Sequence, residues 1–142
     1  MNETIAVFSE EIDYQYSSED LLSNWILQSI LKESKDLVSM NIILCGDEYL
    51  LKINRDYLKH DYYTDIITFD YNSEEIEGEL YISIDRVKEN ASDLGVSFQH
   101  ELHRVIIHGV LHLCGYGDKT EKDEEIMRSK EDFYLKDCSW IV

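Results

Sequence analysis

The sequence predicts an α+β fold, a small mixed four-stranded sheet packed with about five helices, and three observations lead to it. Four segments carry β-branched or alternating apolar residues at strand length, and five carry apolar residues at helical spacing. In chain order they read βαβαββααα, with helices gathered in the last third rather than alternating regularly with strands. At 142 residues the chain can bury one core without disulfides or other staples, so 1–142 is read as a single domain.

Thr4-Ile5-Ala6-Val7-Phe8 has strand-type residues and is expected at the outside of the sheet. Ser17, with Asp20 three residues on, reads as the N-cap of an amphipathic helix carrying Leu21, Leu22, Trp25, Ile26, Ile30 and Leu31. Met40, Ile42 and Leu44 alternate as a strand that stops at Gly46-Asp47, and a helix follows over 48–59. Strands over 65–69 and 79–84, joined by an acidic loop over 72–78, should pair as a hairpin. Asp85 is expected to cap a short helix ending near Gly95. Ser97 caps the next, which lines up Phe98, Leu102, Val105, Ile106, Gly109 and Leu113 on one face. Thr120, with Asp123 at capping-box distance, opens a last helix whose buried side should hold Ile126, Met127, Phe133 and Tyr134.

Thirteen basic against thirty acidic residues give a net charge of -17, which argues against nonspecific coating of nucleic acid; an RNA substrate would need a local basic patch. No apolar run approaches the roughly 18 residues that span a bilayer, so no membrane role is expected. Met1-Asn2-Glu3-Thr4 lacks the basic start and apolar stretch of an export signal, and the expected location is cytoplasmic. Cys45, Cys114 and Cys138 follow no pairing pattern and read as reduced, buried thiols.

The richest chemistry lies in 108–118. His108 and His112 are four residues apart on a helix, so both imidazoles leave one face and can reach one ion at the usual Zn–N distance of about 2.0 Å. Gly115 offers the left-handed residue that ends a helix, and Tyr116-Gly117 lets the backbone reverse and deliver Asp118 as a third ligand. Three protein ligands leave a fourth position for water, the pattern of a catalytic Zn²⁺ site rather than a closed structural one. The site should therefore sit at the end of a central C-terminal helix. Cys114 projects from another side of that helix and reads as core. His100 and His103 lie off the ligand face, as surface residues or substrate contacts.

The ligand spacing of four and then six residues also occurs in metzincin proteases, which place a general-base Glu directly after the first His. Here that position is Gly109, so peptide hydrolysis would need a base from elsewhere. His108-Gly109-Val110-Leu111-His112-Leu113-Cys114-Gly115-Tyr116 instead resembles the H-G-x-L-H-L-x-G-Y hallmark of the YbeY family of bacterial endoribonucleases. Ile53-Asn54-Arg55-Asp56-Tyr57, Thr64-Asp65-Ile66-Ile67-Thr68-Phe69 and Gly78-Glu79-Leu80-Tyr81-Ile82-Ser83 are similar to that family's upstream segments, in its order and spacing. The resemblance implies a metal-dependent endoribonuclease of single-stranded RNA. It further implies roles in 16S rRNA 3′-end maturation and ribosome quality control, with the ribosome or its small subunit as partner.

Two positions depart from the family pattern. Asp118 stands where its third ligand is commonly His, which makes the site more anionic. Leu58 stands where the family has an Arg to which the resemblance would assign RNA contact or a part in catalysis. Lys52, Arg55 and Lys59, three and four residues apart, could hold phosphates in its place, with Arg104 joining from the metal helix. No residue of the sequence stands out as the general base. The competing readings are a non-catalytic ribosome-assembly factor with a structural zinc, and a small metalloprotease-like hydrolase.

Overall fold

Alternation of Met40, Ile42 and Leu44 with Ile43 and Cys45 leaves both faces of one strand apolar, and all five of these residues are buried. Such a strand must lie inside a sheet covered on both sides. In the computed structural model, which describes residues 4–141, it does. The order is β1 (Ile5–Ser9), α1 (Glu19–Lys32), β2 (Leu37–Cys45), α2 (Asp47–Ile53), a π-helical turn (Asn54–Leu58), β3 (Ile66–Asp70), β4 (Ile76–Ser83), α3 (Ile84–Leu94), α4 (Phe98–Leu113) and α5 (Glu121–Leu135). The sheet runs β1-β2-β4-β3. β1 and β4 flank β2 in parallel, and β3 pairs antiparallel with β4 at the edge. The expected α+β architecture, its element order and the outer position of the first strand are all present.

One sheet face carries the main core, in which Leu22, Ile26 and Ile30 of α1 and Leu102, Ile106 and Val110 of α4 meet Ile42, Leu80 and Ile82. Each such buried aliphatic side chain contributes about 1.5–3 kcal/mol relative to exposure. The other face holds a smaller cluster of Cys45, Leu50 and Ile67 under α2. Burial pushes the Cys45, Cys114 and Cys138 thiols up to about 12, 11 and 12, so all three stay protonated inside the fold. No helix among the described residues is long and apolar enough to cross a membrane.

Two glycines position the site. A Cβ on Gly109 would lie 2.7 Å from Ile66 Cδ1 and 2.8 Å from Leu80 Cδ2, so a bare backbone is what lets α4 lie against β3 and β4. Gly115 has φ 107°, and the amides of Gly115 and Tyr116 donate to the carbonyls of His112 and Leu111 at 3.0 and 3.1 Å. α4 therefore stops abruptly, and the chain turns back past its own last turn.

Several local expectations need correction. α3 is capped by Ser83, whose hydroxyl accepts from the Arg86 amide, because β4 runs straight into the helix. Asp85 instead accepts from the Asp47 amide at 2.9 Å and so caps α2. α1 begins at Glu19 with Ser18 rather than Ser17 before it, and β4 begins at Ile76, inside the expected loop. On α5 the buried residues are Met127, Glu131 and Tyr134, while Ile126 and Phe133 are exposed. Ser97 and Thr120 cap α4 and α5 as expected.

Candidate metal centre

Helical periodicity puts His108 and His112 one turn apart, and the turn after Gly115 returns Asp118 to them. His112 Nε2 is 3.0 Å from His108 Nε2, and Asp118 Oδ2 lies 3.3 Å from His112 Nε2 and 3.6 Å from His108 Nε2. A tetrahedral ion about 2.0–2.1 Å from each donor spaces its ligands roughly 3.3–3.4 Å apart, so the triangle has the size of one face of such a site.

The protons point the same way. His112 Nδ1 lies 2.8 Å from the Tyr116 carbonyl, which can only accept, and His108 Nδ1 lies 2.7 Å from Glu131 Oε2. In each neutral imidazole Nδ1 then carries the hydrogen, and Nε2 presents a lone pair. Two lone pairs facing each other beside a carboxylate repel unless a cation lies among them. The donor set thus fits a divalent ion held by His108, His112 and Asp118.

Behind the triangle the side chains are buried and tied down. Glu131 is 2% exposed and is shared between His108 and Arg104, whose Nη1 is 3.3 Å from Glu131 Oε1. Arg104 also makes two bonds to the fully buried Glu101, at 2.9 and 2.6 Å, and these hold its guanidinium firmly protonated. Carboxylate support of a ligating histidine fixes its ring and raises its basicity. On the His112 side, Glu33 at the end of α1 accepts from Tyr116 Oη at 2.6 Å, from Lys130 Nζ at 3.0 Å and from Tyr134 Oη. Burial alone would raise the Glu33 pKa, but these three bonds outweigh it and lower it. Tyr116, whose carbonyl orients His112, is thereby anchored.

In front of the triangle is an open cleft of about 760 Å³ lined by His108, His112 and Asp118 on one side and the π-helical turn and β3 on the other. Asp65 lines it too; burial raises its pKa, Arg104 and His108 act in the opposite direction, and Oδ2 accepts from Asn90 Nδ2 at 3.2 Å.

The candidate RNA contacts are spread elsewhere. Lys52, Arg55 and Lys59 are exposed and absent from the cleft lining. The helix changes to π geometry at Asn54, which breaks the α-helical phase that would align them. Arg55 pairs with Asp61, and Lys59 ends the turn in a left-handed conformation. Arg104 faces a smaller hollow beside His108, between α4 and α5. Lys119, which sequence reasoning passed over, is the lysine that lines the main cleft. His103 is neither a surface residue nor a substrate contact. It is fully buried, accepts from Tyr16 Oη at 2.6 Å and packs on Trp25 and Trp140.

Two imidazoles and a carboxylate at the wall of an open cleft are the arrangement of the small hydrolases that work with a single bound ion. A family model described as Endoribonuclease YbeY matches residues 5–139, and the chain belongs to the YbeY family. It is similar to Endoribonuclease YbeY of Flavobacterium psychrophilum, 54% identical over 130 residues that cover 91% of this chain and 93% of the relative. Endoribonuclease YbeY of Cytophaga hutchinsonii is 53% identical over 136 residues, 94% of each chain. A solution structure of a Thermotoga maritima protein aligns with a TM-score of 0.67 at 31% identity, over 94% of this chain and 87% of that one.

Proposed function

We propose that this chain is an endoribonuclease that hydrolyses phosphodiester bonds of single-stranded RNA, with Zn²⁺ held by His108, His112 and Asp118. The observation that carries the reading is the triangle of inward-facing lone pairs on the wall of an open cleft. When bound, the ion supplies Lewis acidity to a water and to a phosphate oxygen. Glu131 and the Tyr116 carbonyl keep both imidazoles in the ligating tautomer throughout. Asp65, raised by burial and facing the same cleft, is the carboxyl assigned to accept the proton of the attacking oxygen. Lys119, which lines the same cleft, is assigned to the phosphate of the strand.

Family resemblance supports the finer reading: one domain working in the cytoplasm on an rRNA precursor at the small ribosomal subunit, in 16S rRNA 3′-end maturation and ribosome quality control. The open cleft and the 46% exposure of the Asp118 side chain favour catalysis over a purely structural zinc. The test is cleavage of a labelled single-stranded oligoribonucleotide by nuclease-free protein, with chelator and then with added Zn²⁺. Activity should vanish and return; cleavage indifferent to chelation, or none with metal restored, would reject the proposal.

A further inference from the structure

The exposed tyrosines among the described residues, Tyr57, Tyr62, Tyr63 and Tyr71, all fall between positions 57 and 71. Three lie outside the cleft lining. Tyr57 stands edge-on to Phe69, Tyr63 lies under the Arg86 guanidinium and bonds to Glu48, and Tyr71 donates to Glu79. Tyr62 differs: it is 56% exposed and, with His60, lines the cleft that contains His108, His112 and Asp118.

The two rings are stacked, with centroids 5.1 Å apart and planes 19° from parallel, and Tyr62 Oη lies 2.9 Å from His60 Nδ1. Their backbone is held from below by Asn54, which is 1% exposed. Its amide donates to the Tyr62 carbonyl at 3.0 Å, and its carbonyl accepts from the His60 amide at 3.1 Å. A buried asparagine thus presents an aromatic face at the wall of the cleft.

Charge in the cleft identifies what that face is for. Asp65, Asp70 and Asp118 line it against Lys119 alone among lysines and arginines, on a chain of net charge -17. Beyond Lys119 and an ion held by the triad, the cleft lining offers no further lysine or arginine to a polyanion, and stacking of unpaired bases is a source of affinity that tolerates such a field.

We propose that the His60–Tyr62 pair is a base-stacking subsite that holds one unpaired nucleobase of an RNA strand whose backbone crosses the His108–His112–Asp118 centre. This rests on the endoribonuclease reading. The occupant is a base rather than a protein side chain because the pair is continuous with the cleft through which the cut strand must pass.

The test is steady-state cleavage of a short single-stranded oligoribonucleotide, and of a set in which one base at a time is replaced by an abasic ribose. Wild type, Tyr62→Phe and Tyr62→Ala are compared. Tyr62→Ala should raise KM for the intact strand about tenfold, with kcat within about twofold, and Tyr62→Phe should restore it. At one abasic position wild type should lose about as much, and Tyr62→Ala should lose nothing further. The slope of log KM against log salt should be the same in all three proteins, because stacking releases no phosphate counterions. Tyr62→Ala with wild-type KM on every strand, or a loss confined to kcat, overturns the subsite and leaves the ring pair to a protein partner or to the chemistry. Wild type that cuts no strand at all overturns the endoribonuclease reading and the subsite with it.

Discussion

The two walls of the cleft are built differently. On the α4–α5 wall, both imidazoles are oriented by groups that belong to the core: Glu131 with Arg104 and Glu101 behind His108, and Tyr116 with Glu33 behind His112. On the opposite wall, Leu58, His60 and Tyr62 are exposed and stand on a π-helical turn and a loop. On one wall, then, His108 and His112 are fixed by the same contacts that hold the helices together, whereas the other wall stands on exposed backbone outside the core. Leu58 and the His60–Tyr62 pair all line the cleft from that second wall.

Substitutions can break that contrast. The largest effect is expected from Asp65→Asn, which keeps shape and metal but removes the proton acceptor. Its kcat should fall at least about 10²-fold at unchanged metal content, and an unchanged kcat would free Asp65 of that role. Next comes Glu131→Gln, which leaves His108 without its carboxylate. Zn²⁺ affinity, measured by competition with a chelator, should drop about 10- to 100-fold; no change would mean that the α4–α5 wall does not brace the site.

Glu33→Gln should cost about 1–3 kcal/mol in urea unfolding near neutral pH, since it weakens a half-buried acceptor of three donors. The folded-state pKa of Glu33 lies below its ordinary value of about 4.5. Its stabilisation is therefore fully present above that value and is lost as pH falls through the folded pKa. The variant should show a shallower acid dependence of stability than wild type, and identical slopes would contradict the assignment. The smallest effect belongs to Lys52→Ala combined with Arg55→Ala, which lie outside the cleft; KM for single-stranded RNA should stay within about twofold. A tenfold rise would return the phosphate contacts to that helix.

The grouping of His108, His112 and Asp118 into one triad was legible because a helical i, i+4 pair, a helix-ending glycine and a following acid are all local in sequence. The element order and the Ser97 and Thr120 caps were readable for the same reason. What supports the triad was not. Glu131 and Glu33 reach the site from 23 residues after His108 and 83 before Tyr116, and a charged residue on a helix reads as solvated until its partners are known. The π-helical turn leaves no mark in an apolar pattern, so Lys52, Arg55 and Lys59 looked like one face. Ser83 was hidden because it ends a strand and caps a helix at once.

If His108, His112 and Asp118 together hold the ion on which RNA cleavage depends, metal and activity must be lost together. The most direct test is metal analysis of purified wild type and His112→Ala, each assayed on the same single-stranded RNA. Wild type should carry about one Zn²⁺ per chain and cleave, and His112→Ala should do neither; equal metal content in the two proteins would rule out the three-residue site.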